Sequence, residues 1–202
     1  MNEPRIAAIV PFKYHSERLP LKNFQKISNK ENAPTLWQAT YELLKKDQRI
    51  REIFFALDDN PETIKAVRDY GIQNNVFQEV IDYPPGNTLG QKIAHLLLFL
   101  DFNERLKDYD YILVSQCDVW PKFTSDISDM IEFAKEFPQD YIVSGHDGKQ
   151  HGAWRLIKVP LTQEVLGQTI GFCELGMERV DVHTPGDLEA VQFYYDNCDG
   201  EF

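Results

Sequence analysis

Short apolar runs, each about one strand long, alternate with stretches of helical periodicity along the whole chain, and this alternation restricts the fold more than any other feature. Residues 5–10, 52–57 (EIFFAL) and 109–115 (YDYILVS) are continuous apolar or β-branched runs, the pattern of strands buried on both faces. Between them, residues 35–46 set Leu36, Ala39, Thr40, Leu43 and Leu44 at helical spacing. Asn60, Pro61 and Glu62 read as a cap, a first-position proline and an acidic first turn, starting a helix that ends near Gly71. Residues 89–102 are apolar over most of a helical surface, so that helix is expected to lie deep. The order predicts an α/β sandwich whose sheet is mostly parallel in its first half.

The remaining elements are read the same way. Residues 75–81 form a weaker strand pattern, 83–87 a loop by composition, and 125–137 a helix after a Trp-Pro turn. Strands are expected at 141–144 and 153–159, with the Gly-rich stretch 145–152 (GHDGKQHG) between them as a mobile loop. Residues 160–176 show no clear pattern, 178–182 a last short strand, and Thr184-Pro185-Gly186-Asp187 a capped start to a C-terminal helix. With 202 residues and neither repeat nor linker, a single domain over 1–202 is expected.

Composition excludes several function classes. A net charge of −11 speaks against broad nucleic-acid binding, which needs a basic face, but not against a nucleotide held by a local cluster of cations. No apolar run approaches the ~20 residues of a membrane-spanning helix. The first residues, MNEPRIAAIV, lack the basic start of a secretory leader, so a cytoplasmic location is expected. Three cysteines without a CxxC pair suggest neither a disulfide framework nor a zinc site.

Ligands of open α/β sheets sit outside the carboxyl ends of the strands, so the loops after the strands are the places to look for chemistry. The loop after the first strand carries Lys13, Arg18 and Lys22, a mixture of guanidinium fork and mobile ammonium groups suited to a polyphosphate, though a solvated loop would read alike. Asp118, just past YILVS, is placed to ligate a hard cation such as Mg2+ or to start the following helix. Asp181 and His183, two residues apart on a strand, share a face; they either complete a metal site opposite Asp118 or merely end the strand. Asp58 and Asp59 fit a helix start better, and Asp108-Tyr109-Asp110 precedes a strand, the wrong side for a metal motif. Cys117 has no neighbouring base to activate it.

Together these stretches resemble the sugar-acid cytidylyltransferases, the synthetases of CMP-sialic acid and CMP-3-deoxy-octulosonate. Pro11, Ser16, Arg18, Pro20, Lys22 and Asn23 fall on the fixed positions of that family's N-terminal signature. SQCDVW at 115–120 is similar to its strand-end QGD, GNT at 86–88 to its nucleotide loop, and VDVHTPGDL at 180–188 to its I-D-x-D-T-P-E-D-L. The resemblance implies a GT-A-like, Rossmann-related three-layer sandwich with a mixed, mostly parallel sheet. It implies that CTP and a sugar acid give a CMP-sugar and pyrophosphate, with Mg2+, or Mn2+ in its place. Arg18, Lys22 and Lys13 would grip the phosphates. Pro11, Ser16, Asn23, Asn87, Thr88 and Gln116 would line the nucleotide, and His151, Gly152 and Ala153 the acceptor. Asp118, Asp181 and His183 would hold the metal.

Three positions depart from the pattern: Lys13 stands where the family has arginine, His183 where it has aspartate, and His151-Gly152-Ala153 where it has Asn-Gly-Ala. The usual dimerisation insert is short or missing, which leaves a homodimer open. A homologue that binds nucleotide or sugar without catalysis, and transfer of another nucleotide to another sugar, stay open beside the leading reading. A glycosyltransferase is disfavoured, because no DxD follows a strand.

Overall fold

The computed structural model describes residues 3–12, 14, 16–57, 60–73, 89–137, 139–161 and 170–197. The strands are β1 (Ile6–Phe12), β2 (Ile50–Leu57), β3 (Tyr111–Val114), β4 (Val119–Trp120), β5 (Tyr141–His146), β6 (Lys149–Lys158), β7 (Ile170–Glu174) and β8 (Val180–Asp181). The helices are α1 (Leu36–Lys46), α2 (Pro61–Gln73), α3 (Leu89–Phe102), α4 (Thr124–Glu136) and α5 (Pro185–Asn197). Six strands form the main sheet in the order β2-β1-β3-β6-β5-β7, and β4 and β8 form a small antiparallel sheet of their own. In the main sheet β6 alone runs against the rest. The α/β sandwich expected from the alternating pattern, with the mixed, mostly parallel sheet that the resemblance implies, is therefore the observed fold.

The alternation along β1 shows how the layers arise. Ile6, Ala8 and Val10 face one core, shared with Leu36 and Leu43 of α1, Ile127 and Met130 of α4, and Leu188 and Val191 of α5. Ala7 and Ile9 face the other, formed with Ile93, Leu96, Leu97 and Leu100 of α3. A strand buried on both sides has no polar face to show, which is why its sequence reads as a continuous run. Helix starts follow their caps: the Asn60 carboxamide oxygen accepts the N–H groups of Glu62 and Thr63 at 2.9 and 3.1 Å, and the Asp187 carboxylate accepts that of Thr184 at 2.7 Å.

Several expectations change. Residues 145–152 are a tight hairpin instead of a mobile loop: β5 runs on to His146, Asp147 and Gly148 make the turn with φ of 48° and 72°, and β6 starts at Lys149. Asp-Gly is the pair that a two-residue hairpin with both φ values positive favours. The unassigned stretch 160–176 contributes β7. The last strand pairs only over Val180–Asp181, and its partner is β4, in place of the expected Trp-Pro turn. The strand expected at 75–81 lies outside the described residues.

Because β1, β3, β5 and β7 are parallel, their carboxyl ends share one edge, where the β5–β6 hairpin also emerges. Among the described residues no helix is long and apolar enough to cross a membrane.

Candidate active site

Two walls meet at that edge. The first is the loop after β1. Pro11 is buried within the strand, Ser16 is half-buried and Arg18 is exposed. Leu21 takes a left-handed backbone (φ 53°) and turns the chain into one 3-10 turn, Lys22–Phe24, so that Lys22 and Asn23 point inward, 8% and 4% exposed. The loop is tied down by a bond from the Gln25 carboxamide to the Pro20 carbonyl at 2.9 Å and by edge-to-face contact of Tyr14 with Phe24.

The second wall is the β4–β8 ladder. Val119 pairs with Asp181 and Trp120 with Val180, and the Val182 N–H donates to the Asp118 carbonyl at 2.8 Å. Pairing thus brings two acids, 63 positions apart in the chain, to adjacent places. Burial raises the Asp181 carboxyl above its ordinary range, and the charge of Asp118 raises it further.

The walls are joined by charge. The Lys22 ammonium sits on Asp118 Oδ2. Arg18 Nη2 lies 3.0 Å from His183 Nδ1, and His183 Nε2 lies 2.9 Å from Asp181 Oδ2. A guanidinium only donates, so Nδ1 must accept, and the imidazole proton then sits on Nε2 and is given to Asp181. Both ring nitrogens of His183, expected as a metal ligand, are engaged in this arrangement. Asp187 steadies this corner: one carboxylate oxygen takes the N–H groups of His183 and Thr184, and these bonds hold its carboxyl below the usual range.

Gln116, expected at the nucleotide, lies against Gly152, expected at the acceptor; a Cβ at 152 would fall 2.6 Å from the Gln116 carboxamide and push that side chain aside. Ala153 is fully buried in the core. His151 Nδ1 is 3.1 Å from the Ser144 hydroxyl, while its Nε2 is buried without a partner among the described residues, and burial pushes the imidazole down to about 4. Lys13, Asn87 and Thr88 lie outside the described residues.

Two groups beneath the site carry no sequence signal. Lys122 is fully buried; its ammonium donates to the Gln116 carbonyl and to Thr40 Oγ1 and lies 4.7 Å from the centre of the Trp120 ring. Burial pushes it down to about 8. Arg179 Nη2 meets both oxygens of Asp126 at 2.9 and 3.0 Å, and Trp154 Nε1 donates to the same carboxylate at 2.9 Å. Nothing in WPKF says that the lysine turns inward.

No protein-family model matches the chain, and no curated protein matches it significantly. Solved structures do share its fold. A CMP:2-keto-3-deoxy-manno-octonic acid synthetase complexed with CTP is similar over 95% of this chain and 98% of its own, with a TM-score of 0.65 and 15% identity. A protein assigned as a glucose-1-phosphate thymidylyltransferase from Bacillus anthracis, in complex with sucrose, covers 96% of each chain at TM-score 0.67 and 12% identity. A 4-diphosphocytidyl-2C-methyl-D-erythritol synthase from Anaerococcus prevotii covers 97% and 100% at TM-score 0.65 and 10% identity.

Proposed function

We propose that the chain is a metal-dependent nucleotidyltransferase that joins CMP from CTP to a sugar acid and releases pyrophosphate. The observation that carries this reading is the meeting of Arg18 and Lys22 with Asp118 and Asp181 at the carboxyl edge of the sheet. The fold shared with a CTP-bound synthetase and with two other nucleotide-sugar or nucleotide-alcohol enzymes supports it.

The residues fit a divalent cation. Asp118 and Asp181 are hard oxygen donors; the Asp181 carboxyl is raised first by burial and then by the like charge of Asp118, and a cation between them would relieve both. We assign the metal to these two acids. His183, engaged at both nitrogens, positions Asp181 and Arg18 instead of ligating. When bound, the metal would neutralise phosphate charge and acidify the acceptor's hydroxyl.

In the free protein Lys22 neutralises Asp118. With substrate bound, Asp118 would hold the cation, and the ammonium of Lys22, released from that carboxylate, would turn to the phosphates. Arg18 offers its remaining N–H groups to the same oxygens, with its one bond to His183 keeping it in the site. Lys13 would add a third cation. The acceptor's hydroxyl oxygen bonds to the α-phosphorus as the bond from that phosphorus to the bridging oxygen breaks. Pyrophosphate leaves with that oxygen, and the hydroxyl proton goes to solvent. Catalysis by this chain is then orientation plus charge, without a covalent enzyme intermediate.

Pyrophosphate release from purified protein tests the reading, with Mg2+ or Mn2+, each nucleoside triphosphate and a panel of sugar acids. Release that needs CTP and a sugar acid supports it. Stabilisation by CTP without release from any acceptor supports a binding protein that has lost catalysis. Release with a different nucleotide and a neutral sugar overturns the assigned substrates while leaving nucleotidyl transfer.

A further inference from the structure

We propose a second divalent-cation site at the tip of the β5–β6 hairpin, formed by His146, Asp147 and Glu174 and suited to Zn2+ or Mn2+. It rests on different residues from the Asp118–Asp181 pair and does not depend on the nucleotidyl-transfer reading.

His146 ends β5 and Glu174 ends β7, the neighbouring parallel strand in which Glu174 is in register with Gly145. Asp147 follows in the turn. One ligand atom from each of the three side chains lies within 4.8 Å of the other two. The orientation of the imidazole is fixed from outside the cluster: His146 Nδ1 is 2.9 Å from the Leu175 carbonyl. A carbonyl only accepts, so Nδ1 carries a proton, and in the neutral imidazole the lone pair is left on Nε2, the nitrogen that faces Asp147. The Leu175 backbone is itself held, its N–H donating to the Gly145 carbonyl at 2.8 Å. An imidazole whose far nitrogen is anchored to a backbone carbonyl is the arrangement that prepares histidines for metals.

The spacing agrees. Nε2 stands 3.7 Å from Asp147 Oδ2, too far for a hydrogen bond. Two donors each about 2.1 Å from one ion, at an angle somewhat wider than tetrahedral, are separated by about that distance. Glu174 spends one oxygen on the Asp147 N–H at 2.9 Å, which locks the turn and leaves its second oxygen available. Among the described residues neither carboxylate is paired with a lysine or arginine, so the facing negative charges have no internal counter-ion. The imidazole nitrogen favours borderline Zn2+ over Mg2+ and the two carboxylates also suit Mn2+, and three protein ligands leave positions open for solvent or a ligand oxygen.

The test is calorimetric titration of the metal-stripped full chain with Zn2+, carried out in an Asp118→Asn, His183→Gln background that removes the other cluster. One equivalent should bind, and both His146→Gln and Glu174→Gln should weaken it by roughly tenfold or more. The three residues are at the surface, and circular dichroism checks that each variant keeps its fold. A thermal shift with Zn2+ should appear in the background protein and vanish in His146→Gln. Absence of binding in the background protein overturns the site, as does binding that both variants leave unchanged.

Discussion

Two ion pairs with acids close together in the chain are built to opposite ends. Asp118 meets Lys22 at the rim, through side chains 18% and 10% exposed, and has that lysine alone as its ionic partner among the described residues. Asp126 meets Arg179 in the interior, at 6% and 1% exposed, and its carboxylate also accepts from Trp154 Nε1 and, at 3.0 Å, from the Phe123 N–H. The inner pair ties the first turn of α4 to β6 and to the segment before β8, and each bond is one that water cannot replace. The outer pair can trade its lysine for a cation or a phosphate. Interior charge holds the site in place, and rim charge is free to do chemistry.

The comparison is tested most strongly by removing one partner of the inner pair. Asp126→Ala leaves the Arg179 guanidinium buried and uncompensated and should cost about 3–5 kcal/mol in denaturant unfolding. Asp118→Ala should cost about 1–2 kcal/mol, between an exposed and a buried pair. Equal losses would mean that the rim pair is as structural as the inner one.

Lys122 sharpens the contrast, since it is an interior charge with no acid bonded to it among the described residues. In the unfolded chain it stays charged up to its ordinary value of 10.5, and in the folded chain only up to about 8. Between those values the unfolded chain holds more protons, so stability rises with pH. The burial cost is fully present below pH 8 and relieved above about 10.5, a gain of roughly 3 kcal/mol. Unfolding measured across that range should show the rise in the native chain relative to Lys122→Met. Parallel curves would place the ammonium in contact with water.

At the rim the effect should be on turnover. Asp118→Asn is expected to lower metal-dependent pyrophosphate release by about a hundredfold or more, equal to about 2.7 kcal/mol of barrier, with the cooperative unfolding transition retained. Undiminished release would remove Asp118 from the metal.

These two tiers differ in how far the sequence discloses them. The strand ends, and with them Lys22, Asp118 and Asp181, were legible because burial on both faces and strand-then-loop order are local patterns. The ladder that puts Asp181 beside Asp118 joins segments 63 positions apart, and no local periodicity encodes it. Lys122 and Arg179 look like surface cations in sequence; only the tertiary enclosure by Trp120, Trp154 and Phe123 makes them interior. The hairpin at 145–152 is a different case. Its Asp-Gly turn was readable, but the run of glycines and polar residues around it has the composition of a loop, and composition cannot register the cross-strand pairing of Gly145 with Gln150.

The smallest expected effect separates holding from reacting within the rim itself. The Asp187 carboxylate binds the N–H groups of His183 and Thr184 and so fixes the backbone from which His183 reaches Arg18 and Asp181. Asp187→Ala should cost about 1 kcal/mol through the lost cap of α5. Because those bonds lower its carboxyl, the stability it adds is present above the ordinary carboxylate range and disappears as pH falls through its lowered value. Asp187→Asn keeps an acceptor and should cost less, without the acid-dependent part. If His183 acts by position, Asp187→Ala should raise the KM for nucleotide more than it lowers kcat, and Asp187→Asn should restore most of it. A matching fall in kcat that Asn does not rescue would put this corner of the site in the chemical step.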